Sequence, residues 1–304
     1  MGKVKKTVLA IILALVLIFA AGCGSYNFSE ETGGYIVTAK QALNMMDDGA
    51  ILAAACPADE YAGGHIAGAV SVPMGALTVD EPYKNMLPDE GQVEDVMGAA
   101  GITEKDTLLV YDNNNNMQAA RVQWTLNMYS NFNVKVVSGG FEALQRAGAQ
   151  VESTPTTLPA AAYAAGDKQK KRLANLKYLN LKLDEDDGSV IVIDTRSAEE
   201  YTEGTIPGSV HIEYVWNNYG SGEYKSVRDL QSTYINKGLL PDPEKTYILF
   251  CKTSVRAAQT YTAMMDMGFE NVRIYDGAWL EYSDVQDVPD EPTETTVPVV
   301  QDAS

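Results

Sequence analysis

Along this chain, short apolar runs alternate with stretches in which apolar residues recur every three or four positions. Val190 to Ile193 and Tyr247 to Phe250 are continuous apolar runs bounded by turn or charged residues. They are too short for helices and predict strands buried on both faces. Between such runs the period changes. Val255, Ala258, Tyr261, Thr262 and Met265 fall at helical intervals and Gly268 follows as a stop, so a helix is predicted over Val255 to Met267. Thr38, with Gln41 three residues on, has capping-box spacing and starts another helix, which Asp47-Asp48-Gly49 ends. Strands alternating with helices in this way predict an α/β fold, a parallel sheet with helices on both faces.

The pattern is written twice. At a shift of about 140 residues, Ile51 to Tyr61 lies over Ile191 to Tyr201, Gly64 to Val70 over Gly204 to Val210, Thr107 to Asp112 over Thr246 to Cys251, and Val136 to Gly140 over Arg273 to Gly277. Two tandem domains of ordinary size follow, Tyr35 to Gln150 and Leu173 to Gln286. The Thr-, Pro- and Ala-rich segment from Val151, basic from Lys168 to Arg172, reads as an interdomain linker over a surface. The polar, proline-rich tail from Asp287 to Ser304 reads as disordered.

The N-terminus carries an address. Lys3, Lys5 and Lys6 precede a 14-residue apolar run from Val8 to Ala21, a secretory h-region too short for an ordinary bilayer span. The run ends in Ala20-Ala21-Gly22-Cys23, which resembles a bacterial lipobox with Ala20 where Leu is usual. That resemblance implies a signal peptide over residues 1–22, lipidation of Cys23, a polar tether over 23–34, and a lipid-anchored protein on the extracytoplasmic face of a bacterial membrane.

Composition narrows the chemistry. A formal net charge of -18 repels nucleic-acid phosphates and excludes nucleic acid as a partner. Once the leader is removed the charge becomes -21, so acyl chains and not charge must hold the chain to an anionic membrane. With two histidines and three cysteines, His/Cys metal sites and a disulfide framework lack ligands, and both His65 and His211 read as core or surface partners.

One segment stands out chemically. Cys251-Lys252-Thr253-Ser254-Val255-Arg256 runs from the end of a predicted strand into a predicted helix. Free backbone N–H groups and the positive end of the helix dipole converge at such a place, and Lys252 and Arg256 add two cations. These favour the thiolate, which is the nucleophile, and the same N–H groups suit a small anion. The plainer alternative is a half-buried structural cysteine.

Asp194-Thr-Arg-Ser-x-x-Glu-Tyr, Gly204-Thr-Ile-Pro-Gly-Ser, the cysteine loop, Gly268-Phe-Glu-Asn-Val and Tyr275-Asp-Gly-Ala-Trp279 together resemble a rhodanese domain, and the first half resembles the inactive repeat of two-domain members. The resemblance implies a sulfurtransferase in which Cys251 takes a sulfane sulfur from thiosulfate or a similar anionic donor and passes it as a persulfide to cyanide or a thiol. It places the donor on Arg196, Lys252 and the loop residues Thr253, Ser254, Val255 and Arg256, with Asp194 in support. It requires no metal or organic cofactor. Four residues stand between Cys251 and Arg256, one fewer than in the related phosphatases, which favours sulfur over phosphorus. Lys252 favours thiosulfate, since mercaptopyruvate enzymes carry Cys-Gly-Ser-Gly-Val-Thr here. Thr205 departs from the usual His and Ser254 from the usual Gly, and Ser254 is expected to narrow the ring.

In the first repeat Asp112, Cys56 and Ala54 stand where Cys251, Arg196 and Asp194 stand in the second, so that repeat is expected to be inert and to cover the active loop. Arg121 reads as part of a solvated helix face, with a contribution to the cleft as the other reading. Two further function classes remain open: a non-catalytic surface binding module on the duplicated scaffold, and a persulfide or redox sensor.

Overall fold

The computed structural model describes residues 34–185 and 187–286. The leader, Cys23, all but the last tether residue and the tail from Asp287 lie outside the described residues.

In the first repeat the strands are β1 (Ile36–Val37), β2 (Ile51–Ala54), β3 (His65–Ile66), β4 (Val70–Ser71), β5 (Leu108–Tyr111) and β6 (Val134–Val137). The helices are α1 (Ala39–Asp47), α2 (Ala58–Gly63), α3 (Glu90–Ala99), α4 (Met117–Met128) and α5 (Gly140–Arg146). Strand β7 (Val151–Glu152) follows. The second repeat holds β8 (Leu173–Ala174), α6 (Leu176–Glu185), β9 (Val190–Asp194), α7 (Ala198–Glu203), β10 (Val210–His211), α8 (Val227–Ile235), β11 (Thr246–Phe250), α9 (Val255–Asp266), β12 (Val272–Tyr275) and α10 (Ala278–Gln286).

Both repeats build one topology. The first sheet runs β1-β6-β5-β2-β4 and the second β8-β12-β11-β9-β10, all parallel, with Ile51 opposite Leu108 in one and Val190 opposite Thr246 in the other. The apolar runs form the central strands, and Leu108 to Val110 and Ile248 to Phe250 are fully buried. Helix starts follow capping chemistry. Thr38 and Gln41 form the expected box, and Ser197 and Glu200 form another at the head of α7. Gly268, at φ +90°, is the residue that lets the chain leave α9.

Helices α4 and α9 pack on each other across the repeats, and residues 119–128 are all buried. Some of the polar residues here pair closely. Gln123 donates to the carbonyls of Tyr35 (2.8 Å) and Val134 (2.9 Å) and accepts from Thr262 Oγ1 (2.7 Å), while Asn217 donates to Gln259 Oε1 (2.9 Å). The segment from Val151 to Arg172 is tied down along the first repeat. Strand β7 pairs antiparallel with β3, Ala161 N donates to Gly98 O (3.0 Å), Gly166 N to Tyr129 O (2.9 Å), and Tyr163 is buried. Close packing here depends on glycine: a Cβ on Gly101 would stand 2.5 Å from Leu158 Cβ.

Candidate active site

Strand β11 delivers Cys251 to the C-terminal edge of the second sheet, and α9 begins at Val255. The turn between them closes because Ser254 adopts a left-handed conformation (φ 60°), which explains why glycine suits this position. Ser254 Oγ donates to Tyr275 O (2.6 Å), so its side chain is turned toward β12 and does not narrow the ring as the sequence suggests. The head of α10 caps the loop from outside: Trp279 N donates to Cys251 O (2.9 Å) and Leu280 N to Lys252 O (3.3 Å). Lys252 is exposed, and Thr253 and Val255 are half-buried.

Cys251 itself is 1% exposed. Arg256 stands near it as a cation, its guanidinium gripping Glu200 through two parallel bonds of 2.5 and 2.9 Å. That fork holds the Glu200 carboxyl down, from an ordinary 4.5 to about 2. Glu200 lies inside the motif after Asp194, yet residue type and spacing gave it no role; its pairing with Arg256 spans 56 positions of sequence.

Arg196 is placed differently from the expectation. It does not project as a free cation: Nε donates to both Asp194 oxygens (3.0 and 3.1 Å), and Nη2 donates to Asp194 Oδ2 (2.6 Å) and to Gly204 O (2.5 Å). Its guanidinium lies 4.3 Å over the Trp279 ring and the residue is 2% exposed. Asp194, fully buried, also accepts from Thr205 Oγ1 (2.8 Å), so threonine fills this position with a hydroxyl partner. A charge buried beside one carboxylate is satisfied there, and turning it toward a ligand would leave Asp194 unpaired.

The matching loop of the first repeat has lost the thiol and kept the trap. Five residues, 112–116, separate β5 from α4, against four, 251–254, between β11 and α9, an insertion that the self-comparison missed. Asp112 turns its own carboxylate into the amides of its loop: Oδ1 accepts from Asn114 N (2.8 Å) and Asn116 N (3.0 Å), Oδ2 from Ala119 N (2.9 Å). Burial pushes the carboxyl up while these amides pull it down. In this repeat, then, N–H groups converge on the side chain that follows the central strand, and an anion built into the chain occupies them. Cys56 is also spent: burial and nearby Glu60 push its thiol up to about 11, and it is a free thiol, as is Cys251.

Arg121 is not on a solvated face. It is fully buried, its Nη2 on Asp276 Oδ1 at 2.8 Å, with the guanidinium 4.4 Å over Trp124. Both histidines serve their own neighbourhoods: His65 stacks on Tyr61, and His211 Nε2 lies 2.8 Å from Arg196 O. Among the described residues no cluster of three or more His, Cys, Asp or Glu side chains is arranged to hold a metal, and no helix is long and apolar enough to cross a membrane.

Comparison with known proteins follows the duplication. The model of the rhodanese-like domain matches residues 38–147 and again 177–284. A Mycobacterium leprae protein named "Putative thiosulfate sulfurtransferase" is 29% identical over 253 residues, covering 75% of this chain and 86% of that protein. The 3-mercaptopyruvate sulfurtransferase of Escherichia coli K12 is 29% identical over 247 residues, 77% of this chain and 86% of that one. The crystal structure of SseA from Escherichia coli, titled as a 3-mercaptopyruvate sulfotransferase, superposes with a TM-score of 0.72 at 26% identity, over 81% of this chain and 98% of that one.

Proposed function

Because this chain belongs to the rhodanese family, with a family domain in each half, we propose that it is a sulfurtransferase that carries sulfane sulfur from thiosulfate or a similar small anion on Cys251 to cyanide or a thiol. One observation carries the reading: the second repeat presents Cys251 at the very position where the first repeat seats a carboxylate in a cluster of loop amides. A thiolate, and then a persulfide, is the anion this place is shaped to receive.

In this reading the donor's oxyanion meets Lys252 and the loop N–H groups. The Cys251 thiolate attacks the outer sulfur of thiosulfate; a new S–S bond forms, the donor's S–S bond breaks with its electron pair, and sulfite leaves. The acceptor thiolate or cyanide then attacks the outer persulfide sulfur and the Cys251 thiolate is returned. Charge is conserved in both steps. Arg256 faces the sulfur in each, and Arg196 contributes by holding Asp194 and the wall beneath Trp279. Relatives named for thiosulfate and for 3-mercaptopyruvate are equally similar, so Lys252 supports the choice of donor. The leader and lipobox-like end support attachment through lipid on Cys23 at the extracytoplasmic face.

The test is thiocyanate formation from thiosulfate and cyanide, run beside 3-mercaptopyruvate, with Cys251→Ser as control. The reading expects turnover with thiosulfate that the serine variant lacks, and equal rates in the two proteins end it. The 1% exposure of Cys251 favours a second reading, a non-catalytic module on the same scaffold. Intact mass after incubation with thiosulfate separates them, since covalent transfer adds about 32 Da to the peptide holding Cys251.

A further inference from the structure

The two repeats exchange hairpins. In the second, Asn218 and Tyr224 bridge an antiparallel hairpin that lies on the first repeat's loop: Gly222 O accepts from Asn116 Nδ2 (2.9 Å), Asn218 Nδ2 donates to Asn115 O (3.3 Å), and Tyr224 N donates to Ser138 Oγ (2.8 Å). In the first, Val79 and Met86 bridge the matching hairpin, and it lies on the cysteine loop. There Asn85 Nδ2 donates to Thr253 Oγ1 (3.2 Å) and Leu87 N to Asp276 Oδ2 (2.7 Å). Arg121 locks this second contact. Its Nη2 donates both to Asn85 O (2.6 Å) and to Asp276 Oδ1 (2.8 Å), while its Nε and Nη1 have no oxygen partner. Asp276 follows Tyr275, whose carbonyl holds Ser254.

We propose that Asn85 and Arg121 of the inert repeat are positioning residues for the catalytic loop, holding Thr253 and Ser254 so that the loop keeps its shape around Cys251. Neither touches the sulfur. Asn85 acts through Thr253, and Arg121 acts through Asn85 and Asp276. Asn85 sits at φ 61°, a conformation that presents its amide and its carbonyl to different partners at once. A buried guanidinium with two unpaired nitrogens is a costly way merely to join two domains, because an apolar contact of similar volume does that without the desolvation. It is suited to fixing a geometry. The inert repeat is therefore retained as half of a reciprocal clamp whose other half now holds a plugged loop.

The inference rests on the sulfurtransferase reading, and the experiment keeps the two apart. The full chain is prepared as wild type, Asn85→Gly, Thr253→Val, the double variant and Arg121→Lys. Glycine accepts the same backbone conformation and keeps the carbonyl for Arg121. Single-turnover persulfide formation with thiosulfate is followed by mass, and amide hydrogen exchange is followed in the peptide spanning 251–256. The expected result for Asn85→Gly is a saturating rate lowered about fivefold with the half-saturating thiosulfate concentration unchanged, and loop exchange faster by a similar factor, as for loss of one neutral hydrogen bond. Thr253→Val and the double variant match Asn85→Gly, because all three lack the same bond. Arg121→Lys, which keeps the charge but not the planar head that spans Asn85 O and Asp276, lies between wild type and Asn85→Gly. Wild-type rates and wild-type exchange in a folded Asn85→Gly protein, or full additivity in the double variant, overturn the clamp. If wild type takes up no sulfur the transfer reading fails by itself, and loop exchange alone decides the clamp.

Discussion

Replacing Arg196 by methionine separates two roles for this residue that differ in what they cost. If the guanidinium held the donor, its loss would raise the half-saturating thiosulfate concentration and leave folding nearly untouched. In the structure it instead makes three contacts of 2.6 to 3.1 Å with Asp194, and the two side chains are 3% and 0% exposed. Removing one partner of a buried pair strands the other charge, at about 3–5 kcal/mol. In a folded body of this size each kcal/mol moves the melting temperature by about 2–4 °C, so Arg196→Met is expected to melt about 6–20 °C below wild type. The double variant Asp194→Leu/Arg196→Met regains part of the loss, since it leaves no unpaired charge. Thermal unfolding by circular dichroism and the thiosulfate dependence of the rate are measured on the same samples. A variant that melts within about 2 °C of wild type while its thiosulfate requirement rises tenfold would return Arg196 to the donor.

Glu200, held at about 2 by Arg256, contributes stability that is present above its ordinary 4.5 and is lost as pH falls from there toward 2. Glu200→Gln is therefore expected to be less stable than wild type at pH 7, with the gap in urea midpoint closing between pH 4.5 and 2; a gap that widens on acidification contradicts the pairing. Gly101→Ala forces a Cβ to 2.7 Å from Pro159 O at φ +75° and is expected to cost about 1–3 kcal/mol in chemical denaturation, whereas a loosely attached linker would absorb it without loss. Cys56, its thiol pushed up to about 11 by burial, stays unmodified when the folded protein meets iodoacetamide at pH 8, and peptide mass mapping that finds it alkylated refutes that environment.

Much of the scaffold was legible in one dimension. Apolar runs bounded by polar residues became the central strands, Thr38 with Gln41 formed the capping box its spacing announced, and self-comparison anticipated two units whose sheets have one strand order. These features rest on local patterning: period, cap chemistry and turn residues act within a few positions of one another. The site was legible only as residue types. Cys251, Arg256 and Ser254 could be placed between a strand and a helix, but the directions of their side chains could not. Ser254 turns to Tyr275, and Arg256 commits its guanidinium to Glu200. The extra residue in the loop at 112–116 was hidden because four consecutive asparagines align equally well in more than one register.

What the chain determined by itself is where elements begin and end, that they come twice, and which repeat can carry a nucleophile. Those properties follow from the order of side chains along a backbone with few allowed shapes. Only the packed molecule decided which charges remain free to act. Arg196 found Asp194 two residues away, Arg121 found Asp276 155 residues away, and Asn85 found Thr253 168 residues away. A charge removed from water must be met by whatever partner the fold brings within about 3 Å; for Arg196 that partner is a near neighbour in sequence, but for Arg121 long-range packing makes the choice.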